Sequence, residues 1–178
     1  NRLTSRTNPD IRTIGYAYDK QGNRASVTDA DNLRTTYTYD ARNRVRTATT
    51  EGNQVTTYEY WQDSLPKKTT YANGLVSEHI YDRDDRVKTI VSHTGSASAP
   101  IARHDYEYDA NGNTRSLTER HSRLDDGQPQ QTTYDYDNLN RLTGVHYPGS
   151  ASVAYTLAPN GNRMTEVGTN PGAQSAVN

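Results

Sequence analysis

The chain has 178 residues, a formal net charge of −1 and no cysteine. The balanced charge argues against nucleic-acid binding, because neutralising phosphates requires a basic stripe. The absence of cysteine excludes a disulfide scaffold and a thiolate metal site. No apolar run approaches the roughly 20 residues of a membrane-spanning helix. We therefore expect neither a nucleic-acid partner nor a membrane span.

The composition is poor in aliphatic residues and rich in tyrosine and threonine. Leu, Ile, Val and Phe together make up only 24 residues, below the roughly 20% level that usually warns of disorder. However, disorder also requires high net charge and few aromatic residues, whereas the chain has 14 tyrosines and 24 threonines, which favour strands. Tyrosine supplies apolar area while its hydroxyl tolerates water. We therefore predict a sheet that is polar on at least one face.

A tyrosine-rich motif recurs along the chain. Its successive first residues are Tyr16, Tyr37, Tyr58, His79, Tyr106, Tyr134 and Tyr155, at intervals of 21, 21, 21, 27, 28 and 21. The unit at His79, HIYDRDDR, matches YTYDARNR at the second tyrosine, the aspartate after it and the final arginine, and the unit at Tyr155 keeps Asn-Gly-Asn-Arg. Residues 1–3 match the middle of a unit, so we expect the chain to begin within a repeat. A fixed period of this length predicts an array of identical supersecondary units.

Each unit has the pattern of a β-hairpin. Tyr37 and Tyr39 share one face of a strand, and the threonines beside them share the other. Asp40 then begins a turn, because aspartate accepts backbone N–H bonds and a following Gly or Asn permits positive φ. A second strand follows over residues 44–50. Two strands of about seven residues and two turns account for the period.

We therefore predict an all-β fold of consecutive antiparallel β-hairpins of about 21 residues, forming a single array over residues 1–178. The two longer intervals carry inserts near residues 93–100 and 123–131, which are rich in turn formers. We expect these inserts to be lengthened hairpin loops. Tyrosines of successive repeats are about 10 Å apart across an intervening strand, so we expect their rings to pack on residues such as Val45, Val87 and Leu142.

Two acidic clusters and one turn invite a catalytic or calcium-binding interpretation. The densest acidic strings are residues 83–86 and 125–127, but turn chemistry already explains Asp and Gly at these places. In the string from Asp109 to Asn113 the glycine is fourth, whereas the calcium loop needs it sixth. We therefore predict no enzyme, no catalytic residue, no metal and no cofactor.

The histidines and the single tryptophan are the remaining candidates for a binding site. The histidines at positions 79, 93, 104, 121 and 146 share no metal-ligand spacing. Trp61 takes the aspartate position of its repeat, so that repeat has lost its turn-starting carboxylate. With Leu65 and Pro66, Trp61 forms a local apolar patch; the alternative is a platform on which a sugar stacks, which makes Trp61 a possible ligand contact.

The motif Tyr-x-Tyr-Asp-x-x-Gly/Asn-Arg/Asn at this spacing resembles the YD repeat of the Rhs-type family. That family includes bacterial polymorphic toxins, shell-forming components of Tc toxin complexes and animal teneurins. The resemblance implies a curved, spiralling β-sheet that forms part of a hollow shell. In bacterial members the shell encloses a toxic C-terminal domain until delivery. In teneurins it serves recognition at the cell surface.

The resemblance implies that this chain is a non-enzymatic structural segment of such a shell. Its partners would be the remainder of the parent shell and an enclosed C-terminal toxin domain, and its location secreted or at the cell surface after delivery from a bacterium. The alternative is a cell-surface recognition module that binds carbohydrate or protein through exposed tyrosines, Trp61 and the insert loops.

The chain departs from the toxin members in one respect. Members that release a toxin carry an Asp-Pro-x-Gly-type core segment after the repeats. The nearest strings here are Asn8-Pro9-Asp10 and Asn170-Pro171-Gly172, and neither matches. We therefore expect no separate toxin or protease domain within residues 1–178.

The repeat motif assigns a structural role to a defined set of residues. They are Tyr16, Tyr18, Asp19, Gly22, Tyr37, Tyr39, Asp40, Arg44, Tyr58, Tyr60, Tyr81, Asp82, Arg86, Tyr106, Tyr108, Asp109, Gly112, Tyr134, Tyr136, Asp137, Arg141, Tyr155 and Gly161.

Overall fold

A computed structural model describes residues 2–9, 12–95, 97–122 and 127–169. Asp10, the acidic pair at 125 and 126, and the string at 170–172 lie outside the described residues. The chain divides into two compact units, Asn1–Glu78 and His79–Asn178. Among the described residues, no helix is long and apolar enough to cross a membrane.

The first unit consists of short strands that pair antiparallel in chain order. They are β1 (Ser5–Thr7), β2 (Thr13–Tyr18), β3 (Arg24–Thr28), β4 (Arg34–Tyr39), β5 (Val45–Thr50), β6 (Gln54–Tyr60) and β7 (Pro66–Thr70). Each strand pairs with the next one in sequence. The strand β8 (Leu75–Tyr81) pairs with β7 through residues 76–78.

The second unit repeats the same arrangement with longer strands. They are β9 (Val87–Thr94), β10 (Ala102–Tyr108), β11 (Thr114–His121), β12 (Gln130–Tyr136), β13 (Leu142–His146), β14 (Ser152–Leu157) and β15 (Arg163–Thr169). All of these neighbours pair antiparallel. The predicted all-β fold of consecutive antiparallel hairpins is therefore confirmed. In the described part of the chain, the helical segments are two single 3-10 turns, Glu51–Asn53 and Pro148–Ser150.

The turn inside each repeat has one backbone pattern. In the hairpin β4–β5, the Asp40 N–H donates to the Arg44 carbonyl at 2.9 Å, and the Asn43 N–H donates to the Asp40 carbonyl at 3.0 Å. The fourth residue has positive φ, which completes a type I turn followed by a left-handed residue. The residues in this position are Gly22, Asn43, Ser64, Asp85, Gly112, Asn140 and Gly161. Glycine and asparagine dominate because they tolerate this conformation best.

A β-bulge follows six of these turns, which the sequence pattern did not predict. Thr38 pairs with Thr47, but the next residue, Tyr39, pairs with Val45, so Arg46 is passed over. Residues that pair directly share a face, so Val45 and Ala48 both lie on the tyrosine face. The residues passed over in the described hairpins are Ala25, Arg46, Lys67, Arg115, Thr143 and Met164.

The interior of the sheet is polar and only partly shielded from water. Within the described residues, the buried apolar side chains are Val91 and Val145. Ser26, Thr89, His93, Ser116 and Thr132 are buried polar residues. Every tyrosine of the repeat motif is half-buried. This agrees with a sheet built on tyrosine and threonine in place of a thick aliphatic core.

The inserts differ from the predicted loops at their ends. His93 and Thr94 belong to β9, and Gln130 and Gln131 belong to β12. The strands continue because partners are available: the Ile101 N–H donates to the Ser92 carbonyl at 2.8 Å. At these described positions the inserted residues therefore lengthen the strands.

Candidate functional site: the repeated turns

The first aspartate of each complete motif organises its turn with both carboxylate oxygens. Asp40 Oδ1 accepts the N–H groups of Arg42 at 2.8 Å and of Arg44 at 3.0 Å. Asp40 Oδ2 accepts from Arg44 Nε and Nη2, both at 2.7 Å. The Arg44 side chain, followed by these backbone donors, lowers the pKa of Asp40. We call this arrangement, an aspartate bound to the Arg or Asn four residues later, the turn clasp.

Five turn clasps occur in the described residues. They are Asp19–Asn23, Asp40–Arg44, Asp82–Arg86, Asp109–Asn113 and Asp137–Arg141. The pKa is lowered at each of the five carboxyls. Desolvation opposes the shift at Asp19 and Asp82, but the hydrogen bonds outweigh it. These carboxylates are therefore ionised and already occupied by the turn itself.

Two repeats lack the aspartate and still form the turn. At Trp61 the backbone bond to the Leu65 carbonyl is 2.9 Å long, and Asp63 Oδ1 accepts the Leu65 N–H at 3.1 Å. At Ala158 the amide oxygen of Asn160 does the same for Asn162, also at 3.1 Å. A carboxylate or amide two residues later thus replaces the missing one, because it reaches the same N–H group.

Two of the three arginine clasps also donate a hydrogen bond to the next turn. Arg44 Nη1 donates to the Trp61 carbonyl at 3.1 Å, and Arg141 Nη1 donates to the Ala158 carbonyl at 2.9 Å. Each acceptor is the first residue of the following turn. One guanidinium therefore closes its own turn and holds its neighbour. Charge-assisted bonds of this kind are stronger than bonds between neutral groups.

The asparagine clasps reach a different atom of the next turn. Asn23 Nδ2 donates to Asn43 Oδ1, and Asn113 Nδ2 donates to Asn140 Oδ1, both at 2.8 Å. In both cases the acceptor is the left-handed residue of the next turn.

The residue that follows the left-handed position of one turn is combined with a restricted set of residue types at the left-handed position of the next turn. The pairs are Arg2 with Gly22, Asn23 with Asn43, Arg44 with Ser64, Arg86 with Gly112, Asn113 with Asn140, and Arg141 with Gly161. Arginine is followed by glycine or serine, and asparagine by asparagine. A Cβ atom added at Gly22 would collide with the Arg2 guanidinium. This pairing of residue types is visible in the sequence and was missed there.

The second tyrosine of the motif binds the preceding hairpin through its hydroxyl. Tyr60 donates to the Val45 carbonyl at 2.9 Å, and Tyr108 donates to the Val87 carbonyl at 2.6 Å. Tyr18, Tyr39 and Tyr136 make the same bond to Leu3, Arg24 and Thr114. Burial raises the pKa of Tyr39, Tyr60, Tyr108 and Tyr136, which keeps these hydroxyls as donors. The sequence predicted ring packing on Val45 and Val87; the hydroxyl bonds to their carbonyls were not foreseen.

Arginine guanidinium groups stack on several of these rings. Arg44 lies 4.6 Å above the ring centre of Tyr60, and Arg86 lies 4.6 Å above that of Tyr108. Arg2 on Tyr18, Arg24 on Tyr16 and Arg163 on Tyr155 are looser, at 5.5, 5.3 and 5.6 Å. Of the other motif tyrosines, Tyr37, Tyr58, Tyr81, Tyr106 and Tyr134 are half-buried strand residues.

The remaining sequence candidates occupy ordinary places in the turns. In the string 83–86, Asp85 is the left-handed turn residue, with φ of 60°, and Asp84 pairs with Arg86 at 3.1 Å. Trp61 is 41% exposed, and the Lys67 ammonium lies 4.9 Å above its ring. That cation covers part of the surface on which a sugar would stack.

The histidines fall into separate environments, with one exception. His79 is half-buried, which lowers its pKa, His93 is buried, and His146 pairs with Asp135 at 2.6 Å. His104 and His121, however, lie together with Glu119. The interpretation that the histidines share no metal spacing therefore missed this group, because antiparallel pairing, and not sequence spacing, brings it together.

Comparison with known proteins places the chain in a family. The family model described as RHS Repeat matches residues 1–32, 18–56 and 108–152, which together cover more than half of the chain. Comparison with curated protein sequences found no match.

Several solved structures share the fold. A mutant Tc holotoxin pore from Photorhabdus luminescens matches 92% of the chain at 20% identity, with a TM-score of 0.78. The TcdB2-TccC3-Cdc42 complex matches 94% at 19% identity, with a TM-score of 0.81. TcdB2-TccC3 without its hypervariable C-terminal region matches 93% at 19% identity, with a TM-score of 0.80. The chain spans only 9% to 10% of the length of those chains. By its repeats and its matching family model, the chain belongs to the Rhs repeat family.

Proposed function

We propose that this chain is a non-enzymatic wall segment of an Rhs-repeat β-shell that encloses a toxin or effector domain of its parent protein. The observation that carries the proposal is the recurrence of the same contacts from hairpin to hairpin. A clasp residue binds the following turn, and a tyrosine hydroxyl binds the preceding strand.

These contacts suit a wall better than a binding site. Solenoid-like arrays gain their stability from interfaces between neighbours, and here hydrogen bonds join neighbouring repeats at several interfaces. A wall stabilised in this way does not need an apolar core on either side. It can therefore face water or an enclosed protein without presenting a large apolar surface to it.

The carboxylates support the non-enzymatic part of the proposal. Catalytic acids and bases need a proton-transfer position beside a substrate, whereas the five clasp carboxylates accept bonds from their own turns. We assign the motif residues a structural role for the same reason. The motif continues from Tyr58 to His79 and beyond, so we further propose that residues 1–178 are one array.

The similarity to TcdB2-TccC3 structures supports the proposed partners. These are the remainder of the parent shell and an enclosed C-terminal domain. The parent would be a bacterial protein that is secreted or delivered to the cell surface.

Protease protection of the intact parent protein tests this function. We expect the domain that follows the repeats to resist digestion in the parent and to be cleaved readily when it is produced alone. The combined substitution R44A/R141A should speed its cleavage in the parent, because both residues bind neighbouring turns. Arg46→Ala is the matched control, since Arg46 is an exposed bulge residue. Equal digestion of the domain in the parent and alone would rule out enclosure.

A further inference from the structure

Two histidines and a glutamate converge on one face of the hairpin β10–β11. Glu119 is directly opposite His104 in the register, and His121 is opposite Ala102. Glu119 Oε1 lies 3.3 Å from His104 Nε2 and 3.9 Å from His121 Nε2. The imidazole rings meet edge to face, with centroids 5.5 Å apart. One ligand atom from each of the three residues lies within 4.8 Å of the other two.

The insert after β11 creates this arrangement. In β5 the sixth residue, Thr50, is the last of the strand, and a tight turn follows. In β11 the sixth residue is Glu119, and the strand continues to His121. A hairpin of the regular length would therefore lack the second histidine.

The distances suit a tetrahedral metal ion. Zinc binds imidazole nitrogen at roughly 2.0–2.1 Å, which places two donors of a tetrahedral site about 3.3 Å apart. The pair His104–Glu119 already has this separation. The other separations are longer, and small rotations about the side-chain bonds of His121 would close them. All three side chains are half-buried, so an ion can enter from solvent.

The nearby positive charges are directed away from this face. Adjacent strand residues point to opposite faces, so Arg103 and Arg120 lie on the other side from His104 and Glu119. Both arginines bind Asp105, each with a donor at 2.8 Å. The carboxylate of Asp105 thus offsets part of the positive charge of these arginines, which would otherwise repel a metal ion.

We propose that His104, Glu119 and His121 form a binding site for a divalent transition-metal ion of the zinc class. Two imidazoles and one carboxylate are a ligand set that zinc uses, with water in the fourth position. Imidazole donors favour zinc, copper and nickel over magnesium and calcium. The ion would join β10 and β11 at the end of the hairpin that is far from the Asp109 turn.

Calorimetric titration of the chelator-treated chain with zinc chloride tests the site. We expect one zinc ion per chain, and at least tenfold weaker binding in His104→Ala and in His121→Ala. Zinc should also raise the melting temperature of the original chain, since it binds the folded state. That increase should be lost in the double variant H104A/H121A.

His146→Ala is the matched control, because His146 on β13 is paired with a single carboxylate, that of Asp135 on β12. We expect it to bind zinc like the original chain. If an alanine variant fails to fold, Glu119→Gln removes the anionic ligand at almost unchanged volume, and circular dichroism reports whether it is folded. The proposal is overturned if the original chain binds no zinc, if H104A/H121A binds it equally well, or if H146A weakens binding as much as H104A does.

Discussion

The hairpins β4–β5 and β10–β11 are alike at one end and different at the other. Each begins with a turn clasp, Asp40–Arg44 or Asp109–Asn113, and each has a bulge beside it. Next to the bulge, the threonine hydroxyls of Thr38 and Thr47 are 2.6 Å apart. At the same place in β10–β11, the Ser116 hydroxyl donates to Glu107 at 3.1 Å.

The far ends have no such correspondence. The strand β5 ends at Thr50 and enters a tight turn, whereas β11 extends to His121. The extended hairpin carries Asp105, which accepts bonds from Thr89, Arg103 and Arg120. The turn end is constrained because it contacts the next repeat. At the far end of β4–β5, Arg34 Nη2 donates to Ser26 Oγ of the preceding hairpin at 3.3 Å. Neither residue belongs to a turn clasp, so this end can accept inserts and new polar groups.

The largest expected effect tests whether the far end of the extended hairpin has its own stabilising network. Asp105→Ala leaves two guanidinium groups without their carboxylate, and we expect the free energy of unfolding to fall by about 2 kcal/mol. The value is moderate because the Asp105 side chain is 27% exposed. Urea denaturation measures it.

Asp135→Ala provides the control for Asp105. Its carboxylate is 62% exposed and pairs with His146, so we expect a loss below about 0.5 kcal/mol. Equal losses in the two variants would mean that the network on β9, β10 and β11 adds nothing to stability.

A loss of stability of intermediate size tests whether the tyrosine beside the turn has the same role in the hairpins that begin with β6 and with β10. Tyr60→Phe and Tyr108→Phe each remove one hydroxyl bond to the preceding strand. We expect each to lower the free energy of unfolding by about 1 kcal/mol. Tyr71→Phe, at an exposed turn residue, should have almost no effect. The midpoints of urea denaturation measure these losses. A loss of stability in Tyr108→Phe but not in Tyr60→Phe would show that the hydroxyl bond does not have the same role in both hairpins.

The smallest expected effect tests the contact between Arg2 and the turn at Gly22. A Cβ atom added at Gly22 lies against the Arg2 guanidinium, whereas a Cβ atom added at Gly161 has no atom within 4 Å. Both glycines have similar positive φ, 97° and 89°, so backbone strain cancels in the comparison. We expect Gly22→Asn to lower the free energy of unfolding by about 0.5 kcal/mol more than Gly161→Asn does.

Arg2→Asn should remove this difference, because it restores the Asn–Asn pairing seen at Asn23 and Asn43. A double-mutant cycle measured by thermal unfolding gives the coupling. Zero coupling would show that the pairing of residue types has no energetic basis.

Much of the fold was predictable because its signals are local. The period, the aspartate and the left-handed residue lie within one hairpin, so β5 was expected at residues 44–50 and is found at Val45–Thr50. The bulge was missed because the alternation of side chains does not mark Arg46 as the residue that the partner strand passes over; the turn type, a type I turn followed by a left-handed residue, does favour a bulge.

The site was less predictable than the fold. The clasp carboxylates were recognised as turn residues, but the donors that bind the next hairpin were not. The turn at Trp61 illustrates the difference. The sequence showed that Trp61 takes the place of the aspartate, but it did not show that the carboxylate of Asp63 accepts the Leu65 N–H instead. Which atom of one repeat meets which atom of the next depends on how neighbouring hairpins twist and stack, and this is not encoded in a single repeat.

The sequence by itself determined the repeat, the hairpin and the turn, because these depend on backbone preferences within about 21 residues. The tertiary structure decided which repeats touch and through which groups. It placed the Tyr60 hydroxyl on the Val45 carbonyl, and His104 beside His121. Antiparallel pairing with a bulge brings residues from distant positions into contact, and their separation along the chain does not reveal it.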